Sequence, residues 1–221
     1  MQDINIYLIR HGESEGNIVP DIIGQNYDVK LTEKGVSQAN FLGHRFRNNG
    51  IVPDLVCSST YLRAKTTAKI FGKIVGYGDL EESGLILTDS LVEYNPGDWK
   101  GKKRSEIYED VQKLKDITYK HMGFLFPNGE SYHQVERRAS AWLEETIIYD
   151  KEILAMADKK EVHIAVFSHG QTIKCLLHYI LGFDASFLWK IRIGNTSISH
   201  VVYNDKGFFL NSINDMAHLT S

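Results

Sequence analysis

Two histidines stand in His-Gly pairs, each close behind an apolar run. His11 follows Ile4-Asn5-Ile6-Tyr7-Leu8-Ile9-Arg10 and leads into Gly12-Glu13; His169 follows Val162-His163-Ile164-Ala165-Val166-Phe167-Ser168 and leads into Gly170. An imidazole at the carboxyl end of a buried strand stands where α/β sheets bind ligands, and a glycine beside it lets backbone pass close to a substrate. Arg10 precedes the first histidine, and Arg63 lies in Ser58-Ser59-Thr60-Tyr61-Leu62-Arg63-Ala64, after a further apolar run. A guanidinium is a planar fork of donors that matches phosphate oxygens.

The chemistry these residue types suit is phosphoryl transfer. It needs a nucleophile in line with the leaving oxygen, cations on the equatorial oxygens and a proton for the departing alkoxide. A neutral nitrogen of His11 can attack phosphorus, and the phosphoramidate formed is labile to water. His169 opens a helix, so it can donate to an equatorial oxygen while the helix's amino end favours an anion. Glu93, between Leu91-Val92 and Tyr94-Asn95-Pro96-Gly97-Asp98-Trp99, is the candidate general acid.

The elements that must position these groups are read from apolar periodicity. Buried strands are expected over residues 4–9, 54–57, 86–92 and 162–167, with a hairpin-like pair at 197–203 and 207–210 joined by Asn204-Asp205-Lys206. A helix capped by Thr32 places Val36, Ala39, Gly43 and Phe46 on one face and stops near Asn48-Asn49-Gly50. A second covers 61–75. A third begins at Ser131, where Gln134 completes a capping box, with Val135, Ala139, Trp142 and Thr146 inward. A fourth follows Gly170, with Ile173, Leu176, Leu177 and Ile180 inward. Strands alternating with helices argue a mostly parallel sheet covered on both faces, an α/β/α sandwich of three layers. Residues 100–126 mix charges with Tyr108, Tyr119, Phe124 and Phe126. That segment reads as a helical cap inserted into one domain spanning 1–221. The polar end, 214–221, reads as a tail or as a strap at the cleft edge.

A chain of 221 residues with net charge -3 has no global pull toward nucleic acid or anionic membrane, so any anion site must be local. Asp3, Asn5 and Arg10 interrupt the opening residues as no secretory leader would allow, and no apolar stretch approaches the roughly 20 residues of a membrane span. A cytoplasmic protein is expected, with Cys57 and Cys175 as buried reduced thiols. No His-x3-His or Cys/His ligand spacing occurs, so no metal is expected.

Taken together the chain resembles the histidine phosphatase superfamily, which includes the cofactor-dependent phosphoglycerate mutases. The resemblance runs through Arg10-His11-Gly12-Glu13-Ser14 with Asn17, and Leu31-Thr32 with Gly35, Gln38 and Ala39. It continues in Ser58-Ser59 with Arg63-Ala64 and Thr67-Ala68, and in Leu91 and Glu93 with Gly97, Trp99 and Gly101. Pro127, Gly129-Glu130-Ser131 and Ser168-His169-Gly170 complete it. It implies the same sandwich fold and a phosphohistidine on His11, with Arg10, Arg63 and His169 as the phosphate pocket and Glu93 as proton donor. It implies no cofactor. Asn17, with Gln25 near Gly24, would be secondary phosphate or substrate contacts, and Gly170 would line the substrate.

Two departures bear on activity. Lys100 stands where many relatives carry Glu, adding a cation near the mouth. The mutases carry a longer cap with paired arginines for a carboxylate; here the only arginine in 100–126 is Arg104, and Arg137-Arg138 is expected to point elsewhere. The expected activity is therefore a metal-independent phosphomonoesterase acting on a small phosphate ester, as monomer or homodimer, with phosphoglycerate mutase as the alternative. Substrate identity does not follow from these residues: sugar phosphates, phosphoglycerates, nucleotides, a cobalamin precursor and phosphoprotein all stay open.

Overall fold

The computed structural model describes residues 2–19, 21–24, 29–78, 80, 84–107, 122–156 and 159–220. Six strands form one sheet: β1 (Asp3–Arg10), β2 (Leu55–Ser59), β3 (Ile86–Thr88), β4 (Glu161–Ser168), β5 (Ile198–Asn204) and β6 (Gly207–Asp215). Their spatial order is β3-β2-β4-β1-β5-β6. The pairs β3–β2, β2–β4 and β4–β1 are parallel, whereas β1–β5 and β5–β6 are antiparallel. The sheet is thus mostly parallel, as expected.

Alternation along the two central strands shows why helices must cover both faces. Ile4, Ile6 and Leu8 of β1, with Val162, Ile164 and Val166 of β4, join one core cluster; Tyr7, Ile9, Ala165 and Phe167 join the other. The first cluster is closed by α3 (Tyr132–Leu143) and α4 (Gly170–Leu181), through Ala139, Trp142, Leu143, Ile173, Leu176 and Leu177. The second is closed by α1 (Glu33–Asn48) and α2 (Leu62–Val75), through Leu42, Phe46, Ala68, Phe71 and Val75. Each large side chain buried there contributes roughly 1.5–3 kcal/mol, which holds the sheet rigid beneath its carboxyl edge. Cys57 and Cys175 are both buried and unpaired. No described helix is long and apolar enough to cross a membrane.

Several boundaries differ from expectation for local reasons. The third strand ends at Thr88, not at 92, because the Thr88 side chain accepts from Ser90 N and turns the chain into a 3₁₀ turn, Asp89–Leu91. Val36 is exposed rather than inward; the buried face of α1 runs through Gly35, Gln38, Ala39, Leu42, Gly43 and Phe46. The capping box at Ser131 and Gln134 forms. Beyond it α3 widens into a π-helical turn, Glu144–Ile148, that brings Ile147 and Ile148 inward and leaves Thr146 half-buried. Of the expected cap, residues 108–121 lie outside the described ones; before them Arg104–Ile107 forms one helical turn.

Gly12 and Gly35 owe their identity to each other. A Cβ on Gly12 would stand 2.5 Å from the Gly35 carbonyl oxygen, and one on Gly35 would stand 2.0 Å from the Glu13 oxygen. The loop behind His11 and the start of α1 therefore touch backbone to backbone. The expectation that Gly12 serves substrate approach is corrected accordingly. Gly35→Ala should cost about 3 kcal/mol or more, because the obstacle is main chain that cannot swing aside. Gly50→Ala, at φ +69° with open space around it, should cost only about 1 kcal/mol. Urea denaturation of both variants checks the contrast, and equal losses would refute it.

Candidate active site

Strand register brings the chemistry together. Arg10 pairs with Ser168, so His11 and His169 leave the sheet level with one another from adjacent parallel strands. Ser58 pairs with Phe167, and Ser59 with Thr88, so the loops leading to Arg63 and Glu93 leave the same edge. They meet at a cavity of about 500 Å³ lined by Arg10, His11, Asn17, Gly24, Arg63 and Glu93 together with Tyr61, Tyr94, Lys100 and Arg138. Gln25 lies outside the described residues. His169 and Gly170 are not among the lining residues, although the His169 ring packs against that of His11.

The His11 tautomer is fixed by its neighbour. Nδ1 lies 2.7 Å from the Gly12 carbonyl oxygen, which can only accept, so Nδ1 carries the proton. The lone pair is then on Nε2, which accepts from Arg63 Nε at 3.3 Å. The His11 and His169 rings pack with centroids 5.1 Å apart. Burial, and then the charges of Arg63 and Arg10, hold the His11 imidazole well below the usual histidine range. Burial does the same for His169, reinforced by Arg63. The His11 imidazole is therefore neutral, with its lone pair on Nε2 turned toward Arg63.

Around that nitrogen the donors are held by the protein. Arg10 is anchored by Nη1 to the Ile193 carbonyl at 2.6 Å, while its Nε is buried with no protein acceptor among the described residues. That Nε lies against Gly170, where an added Cβ would sit 3.6 Å away in ordinary contact. Gly170 therefore borders the Arg10 guanidinium, not the cavity itself. Arg63 packs its guanidinium 5.0 Å from the Tyr61 ring centre, and burial brings it down to about 10, still charged at neutral pH. His169 Nε2 lies 2.8 Å from Ser59 Oγ. That hydroxyl also accepts from Tyr61 N, and the other ring nitrogen of His169, Nδ1, is buried with no protein partner among the described residues. Buried donors cost free energy until an acceptor meets them. A tetrahedral oxyanion beside Nε2 of His11 is such an acceptor.

Glu93 sits over the amino end of α4. Its Oε1 accepts from Tyr94 N at 3.1 Å, Thr172 N at 3.2 Å and Thr172 Oγ1 at 3.3 Å, whereas Oε2 accepts from Gln171 N at 3.2 Å. Asn17 commits its Oδ1 to Ser14 N, Ser14 Oγ and Asn195 Nδ2, so what it offers a ligand is its amide N–H. Gly24, at φ +65°, packs against the Pro96 ring, where a Cβ would come within 2.6 Å. The segment carrying Gly24 is joined to the one carrying Lys100 where Ile23 N donates to Lys102 O and Gly101 N donates to Ile23 O.

Some supporting residues carried no signal in the sequence. Asn195 donates to the His11 carbonyl at 3.0 Å as well as to Asn17. Thr196 holds φ +54°, an uncommon conformation for a β-branched residue, with its N–H on the Arg10 carbonyl. Thr196 Oγ1 meets His218 Nε2 at 3.0 Å, and Arg45 pairs with Asp215, so Asp215 and His218 are tied to α1 and to the loop that carries Asn195 and Thr196. Arg138, expected to point elsewhere, lines the cavity; Arg137 does face away, beside His133 and Glu136.

His11, His169 and His218 share a consequence for stability. Each has an ordinary value of 6.5, and each is lowered on folding, His218 to about 4 by burial and by Arg45. Unfolded, they take up protons near pH 6.5; folded, they do so only well below it. Between about pH 6.5 and 4 the unfolded chain binds more protons, so stability rises with pH there and is lost as pH falls. Each fully engaged histidine adds about 1.4 kcal/mol per pH unit. The urea midpoint should therefore drop steeply from pH 7 to pH 5, and a flat midpoint would contradict the neutral assignments.

The sheet edge thus gathers two histidines, two arginines and a glutamate around one cavity. The sequence profile of the histidine phosphatase superfamily, branch 1, matches residues 6–216, and the chain belongs to that superfamily. It is 32% identical over 222 residues to the probable phosphoglycerate mutase GpmB of Yersinia pestis (strain Pestoides F), covering 98% of this chain and 95% of that one. Among solved structures it is similar to a phosphoserine phosphatase of Entamoeba histolytica bound to phosphoserine, with TM-score 0.71, 26% identity, and 98% and 99% of the two chains covered. A mycobacterial glucosyl-3-phosphoglycerate phosphatase shares the fold with TM-score 0.81 at 22% identity, over 96% and 99% of the chains.

Proposed function

We propose that this chain is a phosphatase that hydrolyses small phosphate monoesters through a phosphohistidine on His11. The observation that carries the reading is the lone pair on His11 Nε2, fixed by Gly12, beside two arginines and the ring of His169, whose Nδ1 has no protein partner among the described residues. In the first step Nε2 attacks phosphorus, the P–O bond to the leaving group breaks, and Glu93 in its acid form gives that oxygen its proton. Oε2 accepts only from Gln171 N among the described residues, so it is the oxygen with room for the transferred proton. In the second step water attacks, the P–N bond breaks, inorganic phosphate leaves, and the proton taken from water returns to Glu93. Arg10, Arg63 and His169 hold the equatorial oxygens throughout, and Asn17 adds a donor. A cavity of about 500 Å³ suits a small-molecule ester, and the phosphoserine phosphatase likeness supports one of that size.

The curated relatives named as probable phosphoglycerate mutases support a second reading, in which the phosphoryl group returns to another hydroxyl. Against it, Arg104 is the only arginine of the cap segment, and Arg138 has its donors engaged by the protein. Phosphate release from a panel of esters in chelator, compared with His11→Ala, tests the first reading. Interconversion of phosphoglycerate isomers after priming with a bisphosphoglycerate, without phosphate release, would replace it by the second.

A further inference from the structure

We infer that Arg138 is a positioning residue for Glu93, and that with Glu130 it forms the clamp that holds the acid loop against the rest of the site. The inference rests on the reading of Glu93 as proton donor.

Donor accounting carries it. A guanidinium has five N–H groups. Arg138 Nε donates to Glu130 Oε1 at 2.9 Å. Nη1 donates to the carbonyls of Ser90 at 2.7 Å and Asp89 at 3.5 Å. Nη2 donates to the Val92 carbonyl at 2.8 Å and to Glu130 Oε2 at 3.2 Å, with the Glu93 carbonyl also in reach at 3.4 Å. All five are engaged by protein acceptors, although the side chain lines the cavity. Arg138 thus has nothing left for a phosphate or a substrate carboxylate, and what it grips is the main chain immediately before and at Glu93.

The grip extends to the opposite segment. Glu130 Oε2 accepts from Asn95 N at 3.0 Å, and Glu130 N donates to the Asn95 carbonyl at 2.8 Å. Asp98 N donates to the Pro127 carbonyl, and glycines let the two segments touch: a Cβ on Gly97 would lie 1.9 Å from Pro127 O, and one on Gly129 2.4 Å from Asn95 O. The Gly129-Glu130-Ser131 run therefore docks the acid loop, and Arg138, about two turns further along α3, locks both. Lysine cannot replace the fork, because an ammonium cannot serve these diverging acceptors together.

The test is first-turnover release of the leaving group, by rapid mixing, from p-nitrophenyl phosphate and from an alkyl phosphate. Arg138→Lys should slow the alkyl ester about 100-fold, the cost of misplacing a catalytic group by about 1 Å, and the nitrophenyl ester, which needs little protonation, by less than about threefold. Adding Arg138→Lys to Glu93→Gln should cost less than about threefold more, since both changes remove one effect. Equal slowing of both esters, full additivity with Glu93→Gln, or a change confined to KM would overturn the inference. If Glu93→Gln itself slowed both esters alike, the acid assignment would fall, and the clamp's catalytic role with it. Should Arg138→Lys not fold, Glu130→Gln supports the same comparison, with about tenfold selective loss of the alkyl ester expected and no selectivity refuting the clamp.

Discussion

Replacing His11 by alanine is expected to lower kcat/KM for every phosphate ester by about 10⁴-fold or more, because no other group can take its covalent role. The remaining donors should still hold an anion. Arg10 is anchored on Ile193, His169 on Ser59, and Arg63 stays packed on Tyr61. The variant should therefore bind inorganic phosphate within about tenfold of the wild type, since phosphate affinity comes chiefly from the charged donors. Turnover and phosphate binding measured on the same preparation separate the two effects. Residual turnover within tenfold of wild type would mean that another group attacks phosphorus.

Glu93→Gln should produce a loss that depends on the leaving group. Glutamine keeps the shape, and its amide oxygen can keep the contacts with Tyr94 and Thr172 while its NH2 forgoes the one with Gln171 N, but it has no proton to give. Phosphorylation by alkyl esters should slow by about 10²- to 10⁴-fold, and by p-nitrophenyl phosphate far less. The second step also loses its base, so phosphohistidine should accumulate with the aryl ester as a burst of nitrophenol. First-turnover rates across esters of graded leaving-group acidity check this; parallel losses would show that another group supplies the proton.

The parts of the molecule that were legible in the sequence were those in which one residue does one local job. Thr32 and Ser131 cap α1 and α3 as their side chains dictate, and the long apolar runs into Arg10 and Ser168 make the two central strands. The paired histidines were legible because each follows such a run. What local reading missed depends on distant partners. Strand β6 runs on to Asp215 through Asn211, Ser212 and Asn214, polar residues that ended the apolar pattern; pairing with β5 sustains it across shifted register. Asn195 matters only because its loop returns beneath His11, and Arg138 only because the Glu93 loop folds across α3. A run of two arginines on a helix says nothing about which carbonyls will lie above it. Gly12 likewise was read toward a substrate, whereas the residue that excludes a Cβ there is Gly35.

The most direct measurement is to mix the enzyme with p-nitrophenyl phosphate radiolabelled in the phosphoryl group, quench within milliseconds and examine the protein. Label that is stable in alkali, lost in acid, enriched in Glu93→Gln and absent from His11→Ala is the expected result, since a P–N bond has that lability. Turnover without any protein-bound label in Glu93→Gln, or label that persists in His11→Ala, would contradict a covalent phosphoryl transfer through His11.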